Sequence, residues 1–186
     1  MGHGGNVIAE LTTDHREVDE LFAKIGALPV GDDQRRKLVD ELTIELVRHS
    51  VAEEMYLYPA VRKHVEDGDV IADKELSDHA QVEQHLKDLE GMAADDSQFD
   101  PLVAQLKLEV SGHVRDEEDR LFPLLAAACT PAALDELGDK VRTAKKMAPT
   151  RPHPSAPDTP PGNKLLGPGA GLVDRTRDLL TGRGKG

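Results

Sequence analysis

Two stretches of the sequence decide the fold: residues 49–59 read HSVAEEMYLYP, and residues 113–123 read HVRDEEDRLFP. Each begins with a histidine, carries two successive glutamates four and five residues later, and ends in proline. The 64-residue offset between them also relates other identical residues, namely Asp14 to Asp78, His15 to His79, Val18 to Val82, Leu42 to Leu106 and Glu45 to Glu109. A common register across so many positions indicates an internal duplication.

The spacing of apolar residues predicts that each copy of the repeat is a helical hairpin. Leucine and valine recur at intervals of three and four residues in four segments, which begin near Leu11, Leu38, Leu76 and Leu102. Four such helices joined by short loops predict an all-α fold, an up-down antiparallel four-helix bundle. Pro59 and Pro123 are expected to kink or end the second and fourth helices. A short fifth helix is predicted from Thr130–Pro131 to about Lys146.

The repeat brings histidine and carboxylate side chains onto the same helix faces. Residues four apart lie one turn apart on one face, and this spacing joins His49 to Glu53, His113 to Glu117 and His79 to Glu83. Imidazole and carboxylate ligands suit iron, manganese or zinc, and carboxylates from facing helices can bridge two metal ions. The predicted metal site consists of seven residues: His15, His49, Glu53, His79, Glu83, His113 and Glu117.

The remaining histidines do not share this register. His3, His64, His85 and His153 are predicted to be surface or hydrogen-bonded residues. Glu54 and Glu118, one residue after the predicted ligands, are expected either to support those ligands or to face solvent. Tyr56, Tyr58 and Phe122 are expected to be core aromatic residues, and a tyrosine that lies near the metal could tune it.

The composition changes near residue 147. Residues 1–146 carry 17 basic and 32 acidic residues, whereas residues 147–186 carry six basic and three acidic residues. The second segment also holds seven of the 12 prolines and seven of the 16 glycines. Such a segment has too little apolar surface to offset the entropy cost of ordering. We therefore predict a bundle over 1–146 and a mostly disordered Pro/Gly-rich C-terminal tail over 147–186, in which 171–181 has the pattern of a short helix.

Charge and cysteine content exclude several classes of protein. The 186 residues include 35 acidic and 23 basic residues, for a formal charge of −12. An acidic body repels phosphate groups, so nucleic acid is not an expected partner. No apolar run of about 20 residues is present, so no membrane span is expected. The single cysteine, Cys129, permits no internal disulfide. We expect a cytoplasmic protein.

The two stretches at 49–59 and 113–123, with the preceding pairs Asp14–His15 and Asp78–His79, resemble those of hemerythrin-like, or HHE cation-binding, domains. The resemblance covers roughly residues 7–128. It implies an oxo- or hydroxo-bridged non-haem centre of two iron ions inside the bundle. Carried over by position, the resemblance assigns His15 and His49 to one iron, His79, His113 and Glu83 to the other, and Glu53 and Glu117 to both as bridges.

One departure from the family pattern bears on function. The oxygen carriers of this family have an HxxxH pair in the third helix, whereas this chain has His79-Ala-Gln-Val-Glu83. A carboxylate in place of an imidazole is expected to favour the ferric state over reversible dioxygen binding. We therefore expect a centre that binds or reacts with dioxygen or hydrogen peroxide, as a catalase-, peroxidase- or oxidase-like enzyme if it turns over. The alternatives are a non-catalytic module that stores iron or senses oxygen, redox state or iron through a protein partner of the tail, and a structural zinc site.

Overall fold

The computed structural model describes residues 4–181 and residue 183, apart from the side chains of residues 165–168, 180 and 181. Within these residues the chain is helical, with no β-strand. The α-helices are α1 (Val7–Ala27), α2 (Asp33–Ala52), α3 (Tyr58–His64), α4 (Gly68–Leu89), α5 (Phe99–Asp116), α6 (Phe122–Ala128), α7 (Pro131–Met147) and α8 (Gly162–Thr181).

Four helical rods form the predicted bundle. The first is α1 and the third is α4, while the second joins α2 to α3 and the fourth joins α5 to α6. The joints are single π-helical turns, Glu53–Leu57 and Glu117–Leu121, which are themselves related by the 64-residue offset. The all-α bundle expected from the repeat is therefore confirmed. Among the described residues, no helix is both long enough and apolar enough to cross a membrane.

The prolines of the repeat account for the two π turns. A proline in a regular helix lacks the N–H group and its ring crowds the carbonyl four residues earlier. Ahead of Pro59, the helix widens so that the N–H of Tyr58 donates to the carbonyl of Glu53. Ahead of Pro123, the N–H of Phe122 likewise donates to the carbonyl of Glu117. Each rod therefore continues past its proline, and each π turn begins at a predicted metal ligand.

Two apolar clusters fill the bundle, one on each side of the predicted ligands. The first cluster includes Val18 on α1 and Val47 on α2, together with much of α4 and α5. The second cluster includes Leu11 on α1 and Ala52 on α2, together with residues of α3, α6 and α7. His15 lies along the chain between Leu11 and Val18, so the histidine layer separates the two clusters.

The predicted fifth helix is α7, which covers the second cluster. Leu134, Val141 and Ala144 are buried against it. The hydroxyl of Thr130 caps the helix by accepting from the N–H of Ala133 at 3.3 Å, and Pro131 occupies the first turn. The confirmed fifth helix thus contributes to the core as well as extending the bundle.

The structure differs from the prediction in the C-terminal tail. Instead of a short helix near 171–181, it contains the 20-residue helix α8, and the segment before α8 lies against the bundle. The attachment is polar: Asp174 is buried and accepts from the N–H groups of Thr150 and Arg151, each at 3.2 Å. Gly171 allows a close approach, since a Cβ there would lie 2.3 Å from the carbonyl oxygen of Met147. The prediction of a disordered tail considered only the burial of apolar residues, so it did not include these polar contacts.

Substitution of Asp174 by alanine should release the tail. The variant loses hydrogen bonds to two backbone N–H groups and to the imidazole of His153, which lies 2.9 Å from the Asp174 carboxylate. Bonds to a charged group contribute about 1.5–3 kcal/mol each, so proteolysis within 149–161 should accelerate by at least about tenfold. Thr176→Ala, an exposed change on the same helix, is the control. Equal cleavage of both variants would show that Asp174 does not hold the tail.

Candidate metal centre

Six of the seven predicted ligands form one buried layer across the bundle. Glu53 and Glu117 are completely buried, and the four histidines are almost so. Each rod contributes at least one of them: His15 from α1, His49 and Glu53 from the second rod, His79 from α4, and His113 and Glu117 from the fourth. A buried set of four imidazoles and two carboxylates is the arrangement that the repeat predicted.

On one side of the layer, four ligand atoms converge. The Nε2 atom of His49 lies 3.1 Å from Oε1 of Glu53, and Nε2 of His15 lies 3.3 Å from Oε2 of Glu117. His15, His49, Glu53 and Glu117 each place a ligand atom within 4.8 Å of the others. This donor set is sufficient to hold one metal ion.

On the other side, the second pair of histidines faces the same glutamates. The Nε2 atom of His79 lies 3.4 Å from Oε2 of Glu53 and 3.3 Å from Nε2 of His113. Glu53, His79 and His113 form a second group with ligand atoms within 4.8 Å, and Glu75, His113 and Glu117 form a third. Glu53 and Glu117 each belong to groups on both sides, which is the placement that bridging carboxylates require.

Each histidine turns its other ring nitrogen toward a carboxylate outside the layer. The four Nδ1 contacts are His15 to Glu118 at 2.7 Å, His49 to Asp14 at 3.1 Å, His79 to Glu54 at 3.0 Å and His113 to Glu75 at 2.9 Å. Such carboxylates keep the hydrogen on Nδ1 and leave Nε2 free for a metal. Two of these pairs obey the 64-residue repeat, whereas Glu75 departs from it, because its counterpart in the first copy is Leu11.

Unsatisfied buried atoms show that the layer fits a cation. Both carboxylate oxygens of Glu53, one of Glu117 and Nε2 of His15 have no hydrogen-bond partner among the described residues, although all are buried. Burying a carboxylate without hydrogen bonds costs several kcal/mol. A metal ion bound between these atoms would remove that cost, and nitrogen and oxygen donors without thiolates suit iron or manganese as well as zinc.

The electrostatics follow from enclosing carboxylates among imidazoles. Burial alone would lower the pKa of His79, but close contacts with the carboxylates of Glu53 and Glu54 outweigh burial and raise the pKa to about 10. Burial of His49 is likewise outweighed, by the charge of Glu53 and the bond to Asp14, so its pKa lies well above the ordinary value. Burial would raise the pKa of Glu53, but the charge of His49 holds it well below the ordinary value. A cation that enters the layer therefore displaces protons.

Tyr58 is a buried polar residue of the layer. Its hydroxyl lies 2.9 Å from Nε2 of His79 and donates to Oε1 of Glu117 at 3.3 Å. Burial raises the pKa of this phenol, and the nearby charges of Glu53 and Glu117 raise it further, well above the ordinary value. The hydroxyl therefore keeps its proton near neutral pH. Tyr58 begins α3 directly after the first π turn, five residues after Glu53, and the sequence held no signal that set it apart from Tyr56.

Glu83 is the predicted ligand that the structure does not bring to the layer. Its Oε1 accepts from the backbone N–H of His153 in the tail at 2.7 Å, and it belongs to none of the groups of converging ligand atoms. The spacing of four residues from His79 does place it on the same face of α4, but one turn farther along the bundle. The carboxylate of Glu83 binds the tail instead, and the spacing of residues on α4 gives no indication of that partner.

The other histidines lie away from the layer. His85 pairs with Glu109 at 3.1 Å, His153 pairs with Asp174 at 2.9 Å, and His64 is exposed at the end of α3. His3 lies outside the described residues. Their prediction as surface or hydrogen-bonded residues agrees with these positions for the three that the structure describes.

Comparison with known proteins places the chain in a family. The sequence pattern of the hemerythrin HHE cation-binding domain matches residues 6–125. The chain is 30% identical over 168 residues to an uncharacterized hemerythrin-like protein of Schizosaccharomyces pombe, spanning 90% of this chain and 82% of that protein. It is 27% identical over 142 residues to a DNA nickase of Nostoc sp., spanning 75% of this chain but 39% of the nickase.

A solved structure shares the fold. The crystal structure of a hemerythrin HHE cation-binding domain-containing protein from Mycobacterium kansasii superimposes with a TM-score of 0.66 at 28% identity, over 76% of this chain and 85% of that one. The chain therefore belongs to the hemerythrin HHE cation-binding family. Its layer of histidines and glutamates is a candidate site of the di-iron type.

Proposed function

We propose that this protein holds two iron ions in the histidine and glutamate layer and reacts there with dioxygen or hydrogen peroxide. The observation that carries the proposal is the shared position of Glu53, whose two oxygens face His49 on one side and His79 on the other. His15 and His49 would hold one ion, His79 and His113 the other, and Glu53 and Glu117 both. A bound iron pair supplies the electrons for reduction of an oxygen species.

The chain provides a small apolar space for such a species. A void of about 20 Å³ lies beside the four histidines and is walled by Val18, Leu46, Val82, Val110 and Val114. A space of roughly 10–15 Å³ holds one water molecule, so this void accommodates a molecule of two oxygen atoms. The surrounding valines and leucine make this side of the layer apolar, which disfavours the entry of further water.

A proton donor favours reaction over reversible carriage. Glu83 does not support that preference, because its carboxylate binds the tail rather than the layer. Tyr58 packs in the second apolar cluster, across the layer from the void, and does support it, since its hydroxyl holds a proton within hydrogen-bonding distance of His79 and Glu117, through which the proton would reach the species. A positioned acid that protonates a developing oxygen anion typically contributes about 100-fold or more to a rate.

Peroxide consumption by the iron-loaded protein tests this proposal. We expect turnover of hydrogen peroxide, and a fall of about 100-fold in Tyr58→Phe. Tyr56→Phe, which changes the tyrosine of the π turn that precedes Tyr58, should leave the rate unchanged. Retention of iron with no consumption of peroxide or of dioxygen would overturn the reaction and favour storage or sensing. A stable, reversible oxygenated form of the reduced protein in air would instead indicate an oxygen carrier.

A further inference from the structure

The tail forms one wall of a second cavity beside His79, on the outside of the metal layer. The cavity has a volume of about 110 Å³. One wall is formed by α2 and α4, with Val47, Val51 and Val82 among its residues, and the other wall is formed by the tail from Pro149 to Asp158. This tail segment lies beyond residues 6–125, the part of the chain that matches the family domain. The cavity is therefore a feature that the tail adds to the common bundle.

Specific polar contacts hold the tail wall in place. Glu83 binds the backbone N–H of His153 at 2.7 Å, and the guanidinium of Arg151 binds Glu90 at 2.8 Å and Asp178 at 2.7 Å. The side chain of Asn163 donates to the carbonyl of Asp158 at 2.9 Å. These contacts join both ends of the wall to the bundle or to α8, so the cavity has a defined shape.

The lining determines which molecules the cavity accepts. Most of its surface is valine, leucine, alanine and proline, and its carboxylates belong to Glu54, Glu83 and Asp158. The basic side chains named in its lining already have acidic partners: Arg151 pairs with Glu90 and Asp178, His153 pairs with Asp174, and His79 pairs with Glu54. A negatively charged ligand would meet like charges here. A ligand with an apolar body and a hydroxyl donor would meet complementary groups.

The volume sets the size of the ligand. An enclosed apolar cavity of roughly 150 Å³ accepts benzene, so a cavity of about 110 Å³ that is open on one side accepts at most a single small ring with its substituent at the opening. We propose that this cavity is a binding site for a small uncharged organic molecule, of the size of phenol or less, with a hydroxyl group directed at a carboxylate. Ser50, His79 and Val82 line both this cavity and the inner void, so the ligand lies next to the layer. Its use as a substrate there rests on the proposed function.

Calorimetric titration of the full-length protein tests the site. Phenol is expected to bind saturably, and benzoate, with a similar ring but a negative charge, at least about tenfold more weakly. Ala80→Trp on α4 and Ala156→Trp on the tail both place an indole at the cavity lining and should each abolish phenol binding. Ala104→Trp, on the exposed face of α5, is the matched control and should bind phenol as the wild type does.

Three results would overturn the binding site: absence of saturable phenol binding, equal affinity for benzoate, or unchanged binding in both cavity variants. The titration is performed on the protein with and without metal. Phenol binding by an iron-loaded protein that consumes neither peroxide nor dioxygen would contradict the proposed function and leave the cavity proposal standing. Peroxide consumption without phenol binding would contradict the cavity proposal and leave the proposed function standing.

Discussion

Substitution of Glu53 by alanine should deplete both metal positions, not one. The two oxygens of Glu53 face opposite sides of the layer, 3.1 Å from Nε2 of His49 and 3.4 Å from Nε2 of His79. The metal content is therefore expected to fall from about two ions per chain in the wild type to well below one ion per chain in Glu53→Ala. His15→Ala removes a ligand from one group only, so it should chiefly lose one ion. Elemental analysis of purified protein measures both effects.

Glu20→Ala is the matched control for this experiment. Glu20 is an exposed acid on α1, and its loss should leave the metal content unchanged. Circular dichroism establishes that the variants remain helical. If Glu53→Ala retains both ions, Glu53 does not bridge them and the assignment of ligands to the two sides is incorrect.

Substitution of Lys145 by methionine should lower the metal affinity of the centre, although Lys145 lies on α7, outside the residues that match the family domain. The ammonium of Lys145, on α7, contacts the carboxylate of Asp14 and lies 3.1 Å from Oε1 of the buried Glu10. Asp14 in turn orients His49 through Nδ1 at 3.1 Å. Removing one partner of a buried charge costs about 3 kcal/mol. Loss of an outer contact to a ligand lowers metal affinity by about 10–100-fold.

Lys140→Met provides the control on the same helix. Lys140 is 46% exposed and pairs with Glu136, which is 69% exposed, so this change should alter the free energy of unfolding by less than about 0.5 kcal/mol. Urea unfolding gives the stability and chelator competition gives the metal affinity. Wild-type metal affinity in Lys145→Met would show that the contact through Asp14 does not act on His49.

The helical bundle and the inner layer could be predicted because the chain is duplicated. His15 and His79, like Glu53 and Glu117, occur in one register, and a register shared by helices implies one face and one depth in the bundle. The structure brings these residues together with His49 and His113. Their role as ligands stays a prediction until metal is measured. The prolines predicted an irregularity, but not that a π turn would carry each helix onward.

Residues without a repeat partner were harder to predict. Glu75 faces His113 at 2.9 Å, but the corresponding residue of the first copy is Leu11, so the repeat carries no signal for it. Glu83 has the spacing of a ligand on α4, yet its carboxylate binds the tail. Local spacing determines which face a side chain occupies, whereas its partner depends on what packs against that face.

The tail could not be predicted from composition because its attachment is polar. The sequence argument compared apolar burial with the entropy of ordering, and the tail is poor in buried apolar residues. The structure holds the tail with Asp174 and Asp178, whose carboxylates bind Thr150 and Arg151. Glycine and proline within α8 disfavour a helix by intrinsic propensity, and these contacts with the rest of the chain override that preference.

The most direct test of the metal centre is anomalous X-ray diffraction from crystals of the iron-loaded protein. Data collected above and below the iron absorption edge locate iron and distinguish it from zinc. We predict two iron peaks inside the bundle, one beside His15 and His49 and the other beside His79 and His113, with Glu53 and Glu117 between them. A single peak, peaks outside this layer, or an anomalous signal that appears only above the zinc edge would contradict a di-iron centre.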